Sequence, residues 1–370
     1  MRVRPVLWVL LFLSVVLCMA TVVPDIISPG TAQARYPSVV VETDTPAFET
    51  ISFTFPYQTS LHTIEVTLDR TLFEAAARTP KYAAFYGRPD ENMLLAGYYR
   101  SFVSDGAQEQ AYEAAAVPLR EIRDRNMLTP DEYADLITVF VQSIPFDHAP
   151  DDPAPKFPVE TLLLGTGDCD DKTILLAGLL AHEGYDAAML IFRKDAHTAA
   201  GIRSDDALAW YGGYAYTETT SYSLIGLPAG ALGSEVSITD TPVIIPVGNG
   251  TTVYHAADET TYLGRRAMAA LAAVPALRAR IDELEEANPS VDMVPADSRN
   301  ARDSAEALGN KTAMDTGEQE YMACLAEQQA LSQSYESLRE ELDKNIRLHR
   351  YIMANQHNRA GAYAYAQTIP

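Results

Sequence analysis

The stretch Gly167-Asp168-Cys169-Asp170-Asp171-Lys172, with the apolar run Ile174-Leu175-Leu176-Ala177-Gly178-Leu179-Leu180 behind it, decides how this chain folds. The glycine and aspartate before the cysteine have turn and capping chemistry. The run behind it is apolar on all sides, which predicts a buried helix that begins near Cys169 and ends near Gly184. At a helix start, unpaired backbone N–H groups and the positive end of the dipole favour a thiolate, whereas the two aspartates after the cysteine oppose one.

Three segments rich in apolar and aromatic residues follow this helix: Tyr185–Phe192, His197–Ile202 and Trp210–Thr220. Their length and composition predict consecutive antiparallel strands. With the helix packed on such a sheet, His197 and Glu218 would lie side by side and face the cysteine. A nucleophilic thiol needs an imidazole within hydrogen-bond reach and a third group that orients the imidazole, so these side chains form a candidate triad. Spacing alone does not establish that they meet.

Several sequence blocks together resemble a known family. They are Val141-Gln-Ser-Ile-Pro145, Phe157-Pro-Val-Glu-Thr-Leu162, Gly167 to Leu180 with Gly184-Tyr-Asp186, His197-Thr-Ala-Ala-Gly-Ile202 and Tyr216-Thr-Glu-Thr-Thr220. Between roughly residues 110 and 228, the chain resembles the transglutaminase-like superfamily, and within it the transglutaminase-like cysteine peptidase-type proteins of archaea and bacteria. A match over several blocks is more specific than one short motif.

The resemblance implies an α+β fold with a papain-like core, in which a cysteine-bearing helix packs on an antiparallel sheet. It assigns Cys169 as nucleophile, His197 as base and Glu218 as the acid, a position at which the family more often has aspartate. Thr198 stands where many members have an aromatic residue. The implied activity is that of a thiol hydrolase, a peptidase or amidase, acting on a protein or peptide through an acyl-thioester; an amine in place of water would make it a transferase.

Other interpretations remain open. Cys169 is also explained as a small core residue, His197 as a hydrogen-bonded strand histidine and Glu218 as a cross-strand partner. The corresponding function is a catalytically inactive cell-surface binding or scaffold module. A third interpretation is an oxidant sensor whose thiol reacts without turnover.

The composition narrows the choice of partners and cofactors. Three cysteines are present, without a Cys-x-x-Cys pair, and no two histidines stand at helical spacing, so no metal and no cofactor is predicted. His148 and His182 remain isolated candidate ligands. A net charge of −22 repels phosphate and argues against nucleic-acid binding.

The N-terminal residues 1–35 predict a signal anchor or a signal peptide. Arg2 and Arg4 precede a run without charge from Pro5 to Val23, which approaches the ~20 residues that span a bilayer. These features predict a single-pass protein of the cell membrane with an extracytoplasmic catalytic domain, or a secreted protein if the segment is cleaved.

The remaining pattern predicts five further segments. These are an N-terminal β-hairpin segment (36–75), the transglutaminase-like core (76–235), an extended segment and helix (236–287), a polar linker (288–317) and a C-terminal helix (318–370). Strict alternation at residues 51–55, and again at Ile64, Val66 and Leu68, indicates the hairpin. Heptad-like spacing in the last helix predicts a C-terminal helical hairpin and leaves open self-association as a coiled coil.

Overall fold

The structure is a computed structural model that describes residues 33–42, 45–148, 154–205, 207–227, 237–287 and 311–369. The strands are β1 (Gln33–Arg35), β2 (Phe48–Tyr57), β3 (Ser60–Asp69), β4 (Ala84–Tyr86), β5 (Ala187–Phe192), β6 (His197–Arg203), β7 (Tyr214–Thr217) and β8 (Val243–Pro246). The helices are α1 (Arg70–Arg78), α2 (Glu91–Val103), α3 (Glu109–Asn126), α4 (Pro130–Ser143), α5 (Pro158–Leu164), α6 (Cys169–His182), α7 (Ala257–Ala287), α8 (Lys311–Ala354) and α9 (Arg359–Thr368).

The strands pair in antiparallel fashion, which confirms the predicted α+β class at this level. Strands β5 to β8 form one sheet in the order β7-β6-β5-β8, while β2 pairs with β3 and β1 with β4. Helix α6 packs against β5 and β6 and is surrounded by α2, α3, α4 and α5. Its central residues are fully buried, as expected for a helix that is apolar on every side. At Gly178 a Cβ atom would lie 2.0 Å from the hydroxyl of Tyr112, so only glycine lets α3 approach so closely.

The predicted N-terminal hairpin is present and has a two-residue turn. Tyr57 and Ser60 are paired, so only Gln58 and Thr59 form the turn, and Gln58 adopts a φ of 52°. That left-handed conformation suits the twist of a two-residue hairpin turn. The hairpin belongs to the main core, because it contributes buried residues to the same apolar cluster as α6: Phe53 and Phe55 of β2 and Ile64, Val66 and Leu68 of β3.

The C-terminal helices form a second apolar region. Leu277 and Ile281 of α7 pack with Leu338 of α8, and α9 packs on both helices. Helix α7 begins at Ala257 and continues through Pro275 to Ala287. Residues 288–310 of the predicted linker lie outside the described residues, and residues 311–317 form the first two turns of α8.

The predicted single-pass membrane location is contradicted. Across the described ranges, none of the helices combines the length and the apolar character needed to cross a bilayer. The reason is clear for the individual helices: α6 is apolar but has 14 residues, fewer than the ~20 required. Helices α7 and α8 are long enough but carry charged residues along their length. Residues 1–32, which carry the predicted anchor, lie outside the described residues.

Candidate active site

Cys169 is the first residue of α6, held there by a capping box. The Asp168 side chain accepts the backbone N–H of Asp171 at 3.1 Å, and the Asp171 side chain accepts that of Asp168 at 3.2 Å. This reciprocal arrangement satisfies two of the unpaired donors at the helix start. The Asp171 carboxylate also accepts from the backbone N–H and the ammonium of Lys156, each at 2.6 Å, which fixes the segment leading to α5 against the cysteine.

His197 and Glu218 lie at neighbouring positions of the sheet and form a buried pair. His197 opens β6 and Glu218 directly follows β7, and the antiparallel register brings them together. The Nε2 atom of His197 lies 3.2 Å from Oε2 of Glu218 and 3.2 Å from the hydroxyl of Tyr216. Tyr216 in turn donates to the same carboxylate oxygen. The carboxylate partner assigns the ring proton to Nε2, which leaves Nδ1 as the basic nitrogen.

The other oxygen of Glu218 is also fully engaged. Oε1 accepts the backbone N–H groups of Thr219 and Thr220 at 2.9 Å each, and the Thr220 hydroxyl at 2.7 Å. Burial acts to raise the pKa of Glu218, but the hydrogen bonds and charge of His197, together with the hydroxyl donors, lower it to about 2. The acid is therefore ionised and oriented before any ligand arrives.

The thiol lies in a less favourable environment than its place at a helix start predicted. Burial is the largest effect, and with the carboxylates of Asp170 and Asp168 it raises the pKa of Cys169 to about 12. Backbone N–H groups of Thr198 and Asp170 act in the opposite direction without compensating. Burial and the two carboxylates thus outweigh the stabilisation of a thiolate by the helix N-terminus, and the resting side chain of Cys169 is a neutral thiol.

Within the described residues, no hydrogen bond joins the Cys169 thiol to His197. Thr198, the residue after His197 on β6, donates its hydroxyl to Asp170, and its backbone N–H lies within hydrogen-bond reach of the Cys169 sulfur. The imidazole of His197 lies against Phe192, with ring centroids 6.4 Å apart. The structure thus joins His197 and Glu218 of the predicted triad by a hydrogen bond, and it places Cys169 beside Thr198.

Sequence reasoning missed the residues that surround the thiol. The buried carboxylate of Asp170 accepts from the hydroxyls of Thr198 and Tyr99, the latter at 3.0 Å. Burial raises the pKa of Asp170, and these two donors oppose the rise. Thr198, which stands where many members of the resembling family have an aromatic residue, was the only sequence signal of this network. Tyr99 gave none, because it is 71 residues from Asp170 in the chain.

The alternative metal chemistry has no geometric basis in the described part of the chain, where no group of three or more His, Cys, Asp and Glu residues is arranged to hold an ion. The side chain of His182, one of the two isolated candidate ligands, is largely buried. It lies 3.2 Å from Glu109 and 3.0 Å from Glu113, which also pairs with Arg120.

Comparison of the chain with protein-family models, with curated proteins and with solved structures finds no match.

Proposed function

We propose that this protein is a thiol-dependent acyl-transfer enzyme with a transglutaminase-like, papain-type core, acting as a peptidase or amidase. The observation that carries the proposal is the buried His197–Glu218 pair beside a cysteine at a helix start. His197 and the hydroxyl donors lower the pKa of Glu218, and ionisable groups with perturbed pKa values concentrate at functional sites.

In the proposed reaction, the Cys169 sulfur attacks the carbonyl carbon of an amide while its proton passes to Nδ1 of His197. The tetrahedral intermediate collapses to a thioester as the imidazolium gives that proton to the leaving amine. Water, activated by the same nitrogen, then releases the carboxylic acid and restores the thiol. Glu218 holds the ring and stabilises the imidazolium, as an oriented carboxylate does in other triads.

The neutral thiol makes His197 essential to this scheme. With a thiol pKa of about 12, spontaneous thiolate is rare at neutral pH, so attack depends on proton transfer in the same step. Catalysis also requires the side chain of Cys169 to approach Nδ1 when substrate binds. Catalytic hydrogen bonds that are absent without substrate commonly form in the complex.

A second candidate is a non-catalytic binding module with the same fold. It is favoured by the raised thiol pKa and by the missing Cys169–His197 hydrogen bond. This module would retain the His197–Glu218 pair for its structural contacts alone.

Acyl-enzyme formation distinguishes the two candidates. In the full chain carrying Cys18→Ser and Cys324→Ser, Cys169 is the remaining thiol, and 4-nitrophenyl acetate serves as acyl donor. At pH 7.5 we expect intact-protein mass spectrometry to show one acetyl group, located on Cys169 and lost in Cys169→Ala. His197→Ala should slow its formation by roughly 100-fold or more.

The matched control is His255→Ala, which removes an exposed histidine paired with Asp205. It should leave the rate unchanged. Equal acetylation rates in the two histidine variants, with equal thermal unfolding midpoints, would remove the enzyme proposal and leave the binding module.

A further inference from the structure

The side chain of Gln142 closes the loop that follows Glu218. Gln142 lies near the end of α4 and is only 5% exposed. Its Nε2 atom donates to the carbonyl oxygens of Glu218 at 2.8 Å and Ser223 at 3.0 Å, and its Oε1 atom accepts the Ser223 N–H at 3.4 Å. The side-chain amide of Gln142 therefore holds both ends of the loop formed by residues 218–223.

Lys172 connects the backbone of Gln142 to the cysteine helix. It lies three residues after Cys169 and is completely buried. Its Nζ atom donates to the carbonyl oxygens of Gln142 at 3.1 Å and Ile144 at 2.7 Å, at the end of α4. Carbonyl groups at a helix C-terminus favour a cation there. Burial lowers the pKa of Lys172 to about 8, and the charge of Glu218 acts against this decrease.

These contacts form a continuous path from α6, through Lys172 and Gln142, to the backbone of Glu218. We propose that Gln142 and Lys172 are positioning residues that set the place of the Glu218 carboxylate relative to Cys169 and thereby hold His197 as its Nε2–H tautomer. This inference rests on the proposed acyl-transfer function, because tautomer control matters for a base that must present Nδ1.

Filling the core does not by itself explain why Gln142 and Lys172 are buried here. Methionine would occupy a similar volume to either side chain without burying an amide or an ammonium, each of which is costly unless fully hydrogen-bonded. Here the amide and the ammonium each donate to two carbonyl oxygens, and these belong to Gln142 of α4, to its C-cap Ile144, and to Glu218 and Ser223 at the two ends of the loop.

The test is the tautomer of His197, read from its ring ¹⁵N chemical shifts at pH 8 in the full chain. We expect the wild-type ring to be uniformly Nε2–H. Gln142→Met and Lys172→Met should release Glu218 and give an average of both tautomers, with acetylation of Cys169 slowed about tenfold or more. Gln108→Met is the matched control, since Gln108 is a buried glutamine that accepts from the Val159 N–H of α5 and has no hydrogen bond to Glu218 or its loop among the described residues.

Unchanged ring shifts in both folded methionine variants would overturn the positioning role. If those variants do not fold, hydrogen exchange in the wild-type protein tests the inference instead. The side-chain NH₂ protons of Gln142, each held by a carbonyl oxygen, should exchange slowly with water, and fast exchange of these protons would refute the positioning role. A third outcome separates the two proposals. If the methionine variants change the His197 tautomer but Cys169 of the wild-type protein is never acetylated, the proposed function is refuted and the positioning role stands.

Discussion

The imidazole of His197 and the carboxylate of Glu218, 21 residues apart in the chain, meet at 3.2 Å within the protein interior. The carboxylate oxygen that faces the ring also accepts the hydroxyl of Tyr216, and the second oxygen is held by the backbone that follows β7. The contact is therefore fixed from both sides. A ring held this way can accept a proton only through its other nitrogen, which is the geometry that a base for Cys169 requires.

Removing the charge of Glu218 should disable the base while leaving the fold. Glu218→Gln places an amide of the same size at the ring, and a changed tautomer should slow acetylation of Cys169 by roughly two to four orders of magnitude. Tyr216→Phe removes one donor to the carboxylate and should slow it by about tenfold. Tyr214→Phe, on the same strand with its hydroxyl on Asp186, should keep the wild-type rate. Equal rates in the two tyrosine variants would contradict the role given to the Tyr216 hydroxyl.

The lowered pKa of Glu218 also predicts a loss of stability in acid. The folded-state pKa of about 2 lies below the ordinary value of 4.5. The unfolded chain therefore takes up the proton first as the pH falls, and stabilisation present above pH 4.5 is lost progressively down to pH 2. For a buried group the difference corresponds to about 3 kcal/mol.

Urea unfolding at several pH values between 7 and 2.5 measures this effect. The free energy of unfolding should fall less steeply in Glu218→Gln than in the wild-type protein. Glu65→Gln, an exposed glutamate on β3, should reproduce the wild-type slope. If the free energy of unfolding falls equally steeply with decreasing pH in the wild-type protein and in Glu218→Gln, the partners of Glu218 do not lower its pKa on folding.

Local signals were enough to predict that Cys169 begins a helix and that His197 lies on a strand, whereas the third strand ends at Thr217, one residue before Glu218, and not at Thr220 as predicted. The cap at Asp168 and the apolar run behind it specify a helix start, and short apolar segments between turns specify strands. The antiparallel register then brings Glu218 beside His197. Each of these inferences uses residues close together in sequence.

The ionisation of the thiol depends on residues that are distant in the chain. Burial of Cys169 is produced by packing of α2 and the sheet around α6, and no local pattern reports its extent. Tyr99 and Thr198 meet at Asp170 from separate parts of the chain. Sequence reasoning therefore found the chemical groups but not the electrostatic balance among them.

The raised thiol pKa predicts slow alkylation at neutral pH. In the full chain carrying Cys18→Ser and Cys324→Ser, the iodoacetamide reaction of Cys169 should rise about tenfold per pH unit and still be rising at pH 10, because the pKa is about 12. Asp170→Asn removes the nearest negative charge and should increase the rate at pH 8 several-fold. Asp205→Asn, at an exposed aspartate paired with His255, should have no effect. A plateau near pH 8.5, the ordinary thiol value, would show that the site does not suppress the thiolate.

The C-terminal helices should depend on one buried ion pair for their attachment to the core. Arg359, at the start of α9, donates through Nε to Asp135 of α4 at 2.8 Å and also pairs with Glu259 of α7. Arg359 is 5% exposed and Asp135 is 8% exposed, so removing Arg359 leaves the buried Asp135 carboxylate without its cationic partner, at a cost of roughly 3–5 kcal/mol. Arg359→Met should therefore lower the free energy of unfolding strongly.

A double-mutant cycle separates this ion pair from simple loss of packing. Arg359→Met with Asp135→Leu removes both charges, and the double variant should regain much of the stability that either single variant loses. Arg347→Met serves as control, since Arg347 pairs with Asp343 on the exposed surface of α8 and should cost less than about 1 kcal/mol. Additive losses in the cycle would mean that Arg359 holds α9 through its aliphatic stem and its contact with Glu259. Recovery in the double variant would establish that charge pairing with α4 is what makes the C-terminal helices sensitive to this position.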